Sequence, residues 1–242
     1  MTQASLPIWD KVIFVDWHGL LSRDPFWISI LNNPRHPLHG QLSEAVKQLF
    51  SQNDLLVRDW MRGSVPAGEV IDSMQIKLGK QYKPDYLLRK LFEDCQRMRT
   101  NRRLLQILQA AQNNGTWIVL ATDNMDCFDQ TIRRFQGNRR KPVSADADET
   151  QSITETACFF DDLLCSSERG ILKSEDALRF YGDWLSNHGL DFRNALLLDD
   201  LEKNCRAFCS VGGSALRLEI DTLEKKSATV AASIRSWLQA KS

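Results

Sequence analysis

Four sets of polar residues stand directly after apolar runs or at the start of a helical pattern, and together they could do phosphoryl chemistry. Asp16-Trp17-His18-Gly19 follows VIFV, Thr122-Asp123-Asn124 follows WIVLA, Asp199-Asp200 follows ALLL, and Lys173 precedes the SEDALRFY segment. Two or three carboxylates brought to one place repel each other unless a cation joins them. Mg²⁺ suits an all-oxygen set and usually keeps several waters. A carboxylate freed from water can attack phosphorus to give an acyl phosphate. A threonine hydroxyl and a lysine ammonium can hold the phosphoryl oxygens, and the ammonium can also keep a neighbouring aspartate ionised.

Each residue also has a plainer use. Asp16 could cap a turn, Asp199 and Asp200 a helix, and His18 could be a structural hydrogen-bonder. Lys173 could be a solvated helix-start lysine, although cations are disfavoured at helix N-termini. Asp123 and Asn124 could position a nucleophile or merely open the next helix. The shared strand-end position favours a site, because ligands of open α/β sheets bind outside the carboxyl ends of the strands.

The elements that must deliver these residues are legible as periodicity. Residues 12–15, 117–121 and 195–198 are short and apolar on both faces, the pattern of parallel strands covered by helices on both sides. Residues 163–165 and 215–218 are two further strand candidates, the second after the Gly212-Gly213 turn. Helical patterns cover 101–112, 174–187 and 201–209, with Ser174 as the expected start of the second. Strands alternating with helices predict an α/β fold with a doubly wound parallel sheet. Residues 23–99 break the rhythm: helical patterns at 42–50, 70–78 and 86–98 and no clear strand predict an inserted helical cap. Phe26, Trp27, His36, His39, Arg58, Trp60 and Arg62 within it could shape a pocket, but aromatics at helical spacing are more often core. Residues 136–156 are polar and read as a mobile surface loop.

The four sets, in this order, resemble the motifs of the haloacid-dehalogenase-like (HAD) hydrolase superfamily. VIFVDWHGLL resembles its first motif, an apolar strand then Asp-x-Asp-Gly. WIVLATDN resembles the second, SSERGILKSEDALRFY the third with its lysine, and ALLLDDLEKNCRAF the fourth, Asp-Asp with Asn four positions on. Order and spacing agree across nearly the whole chain. The resemblance implies a Rossmann-like HAD core at 1–22 and 100–242 and a helical cap at 23–99. It implies a Mg²⁺-dependent phosphatase acting on a small phosphorylated metabolite. Asp16 then matches the nucleophile, the His18 carbonyl a metal contact, and Thr122 and Lys173 the phosphate-holding pair. Asp200 matches the main motif-four magnesium ligand, Asp199 a second ligand or water-holding carboxylate, and Asn204 a supporting position. Gly19 permits the tight turn out of the strand.

One residue departs from the pattern. The phosphatases of the superfamily carry a second Asp, the general acid and base, where this chain has His18. An imidazole can do both jobs, with an unperturbed pKa of about 6.5. The departure leaves two alternatives: a catalytically weak binding or regulatory module, and a carbon–halogen or carbon–phosphorus hydrolase. The phosphonate-cleaving branch reads Asp-Trp-Ala-Gly there but uses a cap lysine, and Lys47, Lys77, Lys80, Lys83 and Lys90 follow no matching pattern. The Asp199-Asp200 pair argues against the halide branch, which needs no metal.

Composition bounds the rest. Of 242 residues, 43% are apolar, enough for a sizeable core, and the 31 Lys and Arg equal the 31 Asp and Glu. A balanced charge gives no reason to expect nucleic acid or an acidic membrane as partner. The cluster Arg133, Arg134, Arg139, Arg140 and Lys141 reads as a solvated face. No stretch approaches the roughly 18 apolar residues of a membrane span. The N-terminal residues show no basic start followed by an apolar run, so no signal peptide is expected. Six cysteines without a CxxC pair are expected to be reduced thiols of a cytoplasmic protein, and Cys205 and Cys209, without a nearby His, make no expected metal site.

Overall fold

A computed structural model describes residues 9–136 and 150–240. Seven strands and twelve α-helices are described among them. Five strands form one parallel sheet: β1 (Lys11–Val15), β3 (Thr116–Thr122), β5 (Asp162–Cys165), β6 (Ala195–Asp199) and β7 (Ser214–Arg217), in the order β5-β3-β1-β6-β7. The doubly wound sheet expected from the alternation is therefore present. Its central strand is β1, whose five residues are all buried, as both-face apolarity requires.

The pleat sends alternate residues to two separate clusters. Val12 and Phe14 join Val119, Ala121 and Leu197 under α10 (Ala177–Asn187) and α11 (Glu202–Ser210). Ile13 and Val15 join Ile118, Leu120, Leu196 and Leu198 on the other face. There α6 (Arg102–Gln112), α7 (Asp126–Gln136) and α12 (Ile220–Gln239, bent at Lys226) supply the cover. Lys11 ties the start of β1 to the end of α12, donating to the carbonyls of Trp237, Leu238 and Ala240 at 2.6–3.1 Å.

Five helices lie between β1 and the next strand: α1 (Ile28–Leu31), α2 (His39–Gln52), α3 (Asp54–Met61), α4 (Ala67–Ser73) and α5 (Tyr86–Cys95). Their apolar faces, with Leu42, Trp60, Val70 and Leu91 fully or almost fully buried, belong to the same continuous cluster as Ile13 and Val15. Trp27 and Trp60 are core residues, 6.2 Å apart between ring centroids, as helical spacing favours. Arg58 pairs with Asp54, His36 Nε2 lies 3.0 Å from the Tyr86 hydroxyl, and His39 Nδ1 lies 3.1 Å from the Ile30 carbonyl.

Several expectations shift. Residues 70–78 are helical only to Ser73, where α4 ends, and Gln75 then takes a left-handed conformation at φ 51° that no helix continues through. The helix expected from Ser174 starts at Ala177: Asp176 is its N-cap, accepting from the Arg179 amide at 2.9 Å, and residues 173–175 form a turn instead. The stretch expected as a loop holds β4 (Thr150–Ser152) and α8 (Ile153–Ala157). β4 pairs antiparallel with β2 (Arg99–Asn101), a strand the polar text RTN does not announce. Residues 137–149 of that stretch, with Arg139, Arg140 and Lys141, lie outside the described residues. Arg133 pairs with Asp129, and Arg134 lies over the Phe92 ring. All six cysteines are free thiols, five of them buried. No helix among the described residues is long and apolar enough to cross a membrane.

Candidate active site

Sheet register alone brings the expected carboxylates together. Val15 pairs with Leu198 on one side and Leu120 on the other, so the next residues, Asp16 and Asp199, leave neighbouring strands side by side. The Asp16 amide still donates to the Leu198 carbonyl at 2.9 Å, which fixes where its side chain departs. Asp16, Asp199 and Asp200 each offer one carboxylate oxygen within 4.8 Å of the others. Ligands about 2.1 Å from an octahedral Mg²⁺ lie at most about 4.2 Å apart. Adjacent ligands would lie about 3.0 Å apart, so the carboxylates must draw in around the ion, and their all-oxygen chemistry fits it.

Among the described residues, Lys173 is the ammonium bonded within this cluster. Its Nζ donates to Asp16 Oδ1 and Asp199 Oδ2, each at 2.7 Å, and to the Ala121 carbonyl at 3.2 Å. It is 1% exposed, as is expected of a lysine only when it is paired. Burial opposes its charge, but Asp16, Asp199 and Asp123 outweigh it and hold its pKa well above the ordinary lysine value. Asp16 behaves otherwise. Its own burial pushes its pKa up to about 7; Lys173 pulls it down, while Asp199 and Asp200 push it further up. The expected ionising effect of Lys173 is present, and desolvation exceeds it. Asp200, half-buried, is also raised, by burial and by Asp199.

Asp199 is almost saturated. Besides Lys173, it accepts from the Leu201 amide at 2.9 Å and from Asn204 Nδ2 at 3.1 Å. Asn204, 1% exposed on the first turn of α11, thereby fixes this carboxylate. Asp200 carries no such load and is the more open of the pair. The turn after β1 must pass close to it: a Cβ at Gly19 would fall 2.1 Å from Asp200 Oδ2, and Gly19 has φ +80°. Only glycine fits both demands.

Thr122 is fully buried at the end of β3, and its Oγ1 has no hydrogen-bond partner among the described residues. Such a hydroxyl costs stability unless something accepts or donates to it. Asp123 accepts from the Lys173 amide at 2.8 Å and so holds the lysine's own backbone. Asn124 is buried; its amide donates to Ser166 Oγ and its Oδ1 accepts from the Met125 amide. Neither Asp123 nor Asn124 begins a helix, since α7 starts at Asp126. His18 is exposed by surface area, yet the crowded mouth desolvates its imidazole enough to hold its pKa below the ordinary value, against the Asp24 carboxylate.

Three contributors went unread in the sequence: Ser166, Glu175 and Asp24. Ser166 follows β5 directly, so the strand-end rule would have found it. Glu175 accepts from the Leu172 amide at 3.1 Å. Asp24 binds the Arg99 amide at 2.8 Å and its guanidinium, tying together the two chain segments that flank the inserted helices. Nothing local in the sequence signals these last two partners. The five lysines considered for Schiff-base chemistry are surface residues: four are exposed, and Lys90, partly buried, pairs with Glu93.

No protein-family model matches the chain, and no curated protein matches it by sequence. Solved structures do match. A HAD-family enzyme from Bacteroides thetaiotaomicron, in complex with magnesium and inorganic phosphate, superposes with TM-score 0.57 at 14% identity, covering 87% of this chain and 94% of that one. A HAD-like family hydrolase from Porphyromonas gingivalis gives TM-score 0.60 at 12% identity, over 96% and 100%. An L-2-haloacid dehalogenase from Xanthobacter autotrophicus with chloropropionic acid covalently bound gives 0.54 at 12%, over 91% and 83%. The chain has a HAD-like fold.

Proposed function

We propose that this protein is a HAD-like hydrolase, a Mg²⁺-dependent phosphatase that acts on a small phosphorylated metabolite through an aspartyl-phosphate on Asp16. The carrying observation is a charge deficit: one ammonium, Lys173, faces three clustered carboxylates, two of them buried. The excess of negative groups calls for a cation, and desolvation makes an uncompensated buried charge costly. The magnesium and phosphate bound by the Bacteroides enzyme of the same fold support the choice of ion and substrate class. Mg²⁺ held by Asp16, Asp200 and the His18 carbonyl, with Asp199 beside it, would supply charge neutralisation and polarise a phosphoryl oxygen.

The residues then divide the work. A carboxylate oxygen of Asp16 attacks phosphorus, and the bond from phosphorus to the ester oxygen breaks. The leaving oxygen takes a proton from the His18 imidazolium. Thr122 Oγ1, otherwise unpartnered, donates to a phosphoryl oxygen, and Lys173 balances the charge that develops. In the second half, neutral His18 takes a proton from water as that water attacks phosphorus, and the Asp16–phosphorus linkage breaks to return the carboxylate. His18 is neutral for this step because it has given up its proton in the first, and its lowered pKa makes it a stronger acid there. The helices between 23 and 99 serve as the cap that closes over the site and excludes water.

The test is hydrolysis of a generic aryl phosphate with Mg²⁺ by the native protein and by Asp16→Asn. The native protein is expected to turn over and the variant to lose at least roughly 10³-fold, the scale of removing a nucleophile. Equal rates would reject the mechanism. His18→Asp separates this reading from a catalytically weak module, for which it would greatly raise activity. A second reading, attack of Asp16 on a carbon–halogen bond, draws on the fold shared with the haloacid dehalogenase and on the missing second Asp. Halide release from 2-haloacids without Mg²⁺ would favour it, and the Asp200 carboxylate would then have no cation to bind.

A further inference from the structure

The loop that carries Lys173 is pinned through two consecutive amides. The Lys173 N–H donates to Asp123 Oδ1 at 2.8 Å, and the Leu172 N–H donates to Glu175 Oε2 at 3.1 Å. Asp123 follows β3 directly. Glu175 is held from outside the sheet: Arg62 Nε donates to Oε2 at 3.1 Å and Nη2 to Oε1, a two-pronged contact across 113 positions of chain. Arg62 lies just past α3, in the inserted helices, and its Nη1 is itself braced by Asp59 at 3.0 Å.

Arg62 arrives with a docked segment. Trp60 Nε1 and the Ala67 amide both donate to the Asp126 carboxylate, at 2.9 and 3.3 Å, and the Met61 carbonyl accepts from Ser166 Oγ at 2.7 Å. Gly63, at φ +72°, passes so close that a Cβ there would lie 2.2 Å from the Ser167 carbonyl oxygen. Asp126 opens α7, Ser166 follows β5 directly and Glu175 lies in the turn before α10, all beyond the carboxyl ends of β3 and β5, where a ligand of this sheet is expected.

We propose that Arg62 and Glu175 are positioning residues for Lys173: docking of segment 60–67 fixes Glu175, Glu175 fixes the Leu172 amide, and the lysine loop is set only in the docked arrangement. The inference rests on Lys173 holding the transferring group. Both side chains are about a quarter exposed, 29% and 26%, so solvent screens the pair only in part. Its geometry is what distinguishes it: a guanidinium fork fixes the direction of a carboxylate in a way a point charge does not. The hydrogen bond and charge of Arg62 also hold the Glu175 carboxyl below its usual range, so it stays an acceptor for the amide. Arg62, which the sequence offered as a pocket residue, thus acts at one remove from the substrate.

Full-length Arg62→Met, Glu175→Gln and the double variant decide it. Glu175→Gln keeps an acceptor for the Leu172 amide and removes the ion pair. In Mg²⁺, hydrogen exchange at the Leu172 and Lys173 amides is expected to rise at least tenfold in Arg62→Met. With an aryl phosphate, kcat is expected to fall roughly tenfold in each single variant, KM to change less than about twofold, and the double variant to be no worse than either single. Unchanged exchange at those two amides in Arg62→Met, or losses in the double variant that multiply, would overturn the proposal. A native protein without phosphatase activity would sink the phosphatase reading alone, and the exchange measurement would still decide the latch.

Discussion

Thr122 shows how a single side chain separates stability from function. Its hydroxyl is buried and has no partner among the described residues, so replacing it with an isosteric methyl removes a polar group that gains nothing from folding. Thr122→Val is expected to leave stability within about 1 kcal/mol of the native protein or to raise it. Its kcat/KM for a phosphate ester is expected to fall roughly 10²-fold, the scale of one lost donor. Denaturant titration and kinetics on the same preparation check both; a large loss of stability with activity retained would make Thr122 an ordinary strand residue. Asp16 carries a pH signature. Its pKa is about 7 in the fold and about 3.9 unfolded. Between those values the folded state holds the extra proton, so stability falls as pH rises from about 4 to 7 and levels off above. Asp123 and Asp200 are shifted in the same direction and reinforce the trend. Lys173 adds a constant contribution there, because its raised pKa lies far above the window. Without divalent cations, Asp16→Asn is expected to flatten this slope and to be more stable than the native protein at pH 8. A native protein whose stability rises across the window would contradict the burial of an unneutralised Asp16.

Among the elements, the turn after β1 does the most exacting work, since it must leave the strand, clear Asp200 and return toward Ser22. Gly19→Ala places a Cβ in the left-handed region and against Asp200 Oδ2. A loss of about 1–2 kcal/mol from the backbone alone is expected, with weaker Mg²⁺ binding as Asp200 is pushed aside; calorimetric titration beside a denaturation curve reads both. The turn and the three strand ends that carry Asp16, Thr122 and Asp199 were legible in the sequence for one physical reason. A strand buried on both faces must be apolar throughout, so the first polar residue after it marks the rim where chemistry can occur. Periodicity placed α2, α5, α6 and α11 for a similar reason, each having one strongly apolar face. Other elements left no such trace. β2 and β4 are three polar residues each and exist only because they pair with each other. The first turn of α10 was misplaced because Ser174 and Asp176 are both acceptable caps, and the contacts of Glu175 with Leu172 and Arg62 decide between them. Arg62, Asp126 and Asp24 find their partners across long stretches of chain, which no local pattern encodes.

Over the whole molecule, the inserted helices and one face of the sheet share a single apolar cluster, while the other face has its own. The site therefore sits at the rim of a rigid sheet, with side chains from strands that are adjacent in space and about 180 residues apart in sequence. Among the described residues, Asp16, Asp199 and Asp200 cluster beside the Lys173 ammonium, and the rim is left short of positive charge. Calorimetric titration of Mg²⁺ into the native protein and into Asp200→Asn measures that deficit directly. One ion per chain is expected to bind the native protein, stabilising it by about 2.7 kcal/mol at a hundredfold excess over Kd, and to bind Asp200→Asn at least roughly tenfold more weakly. Absence of binding to the native protein, or equal affinity in the two, would contradict a divalent site at this rim.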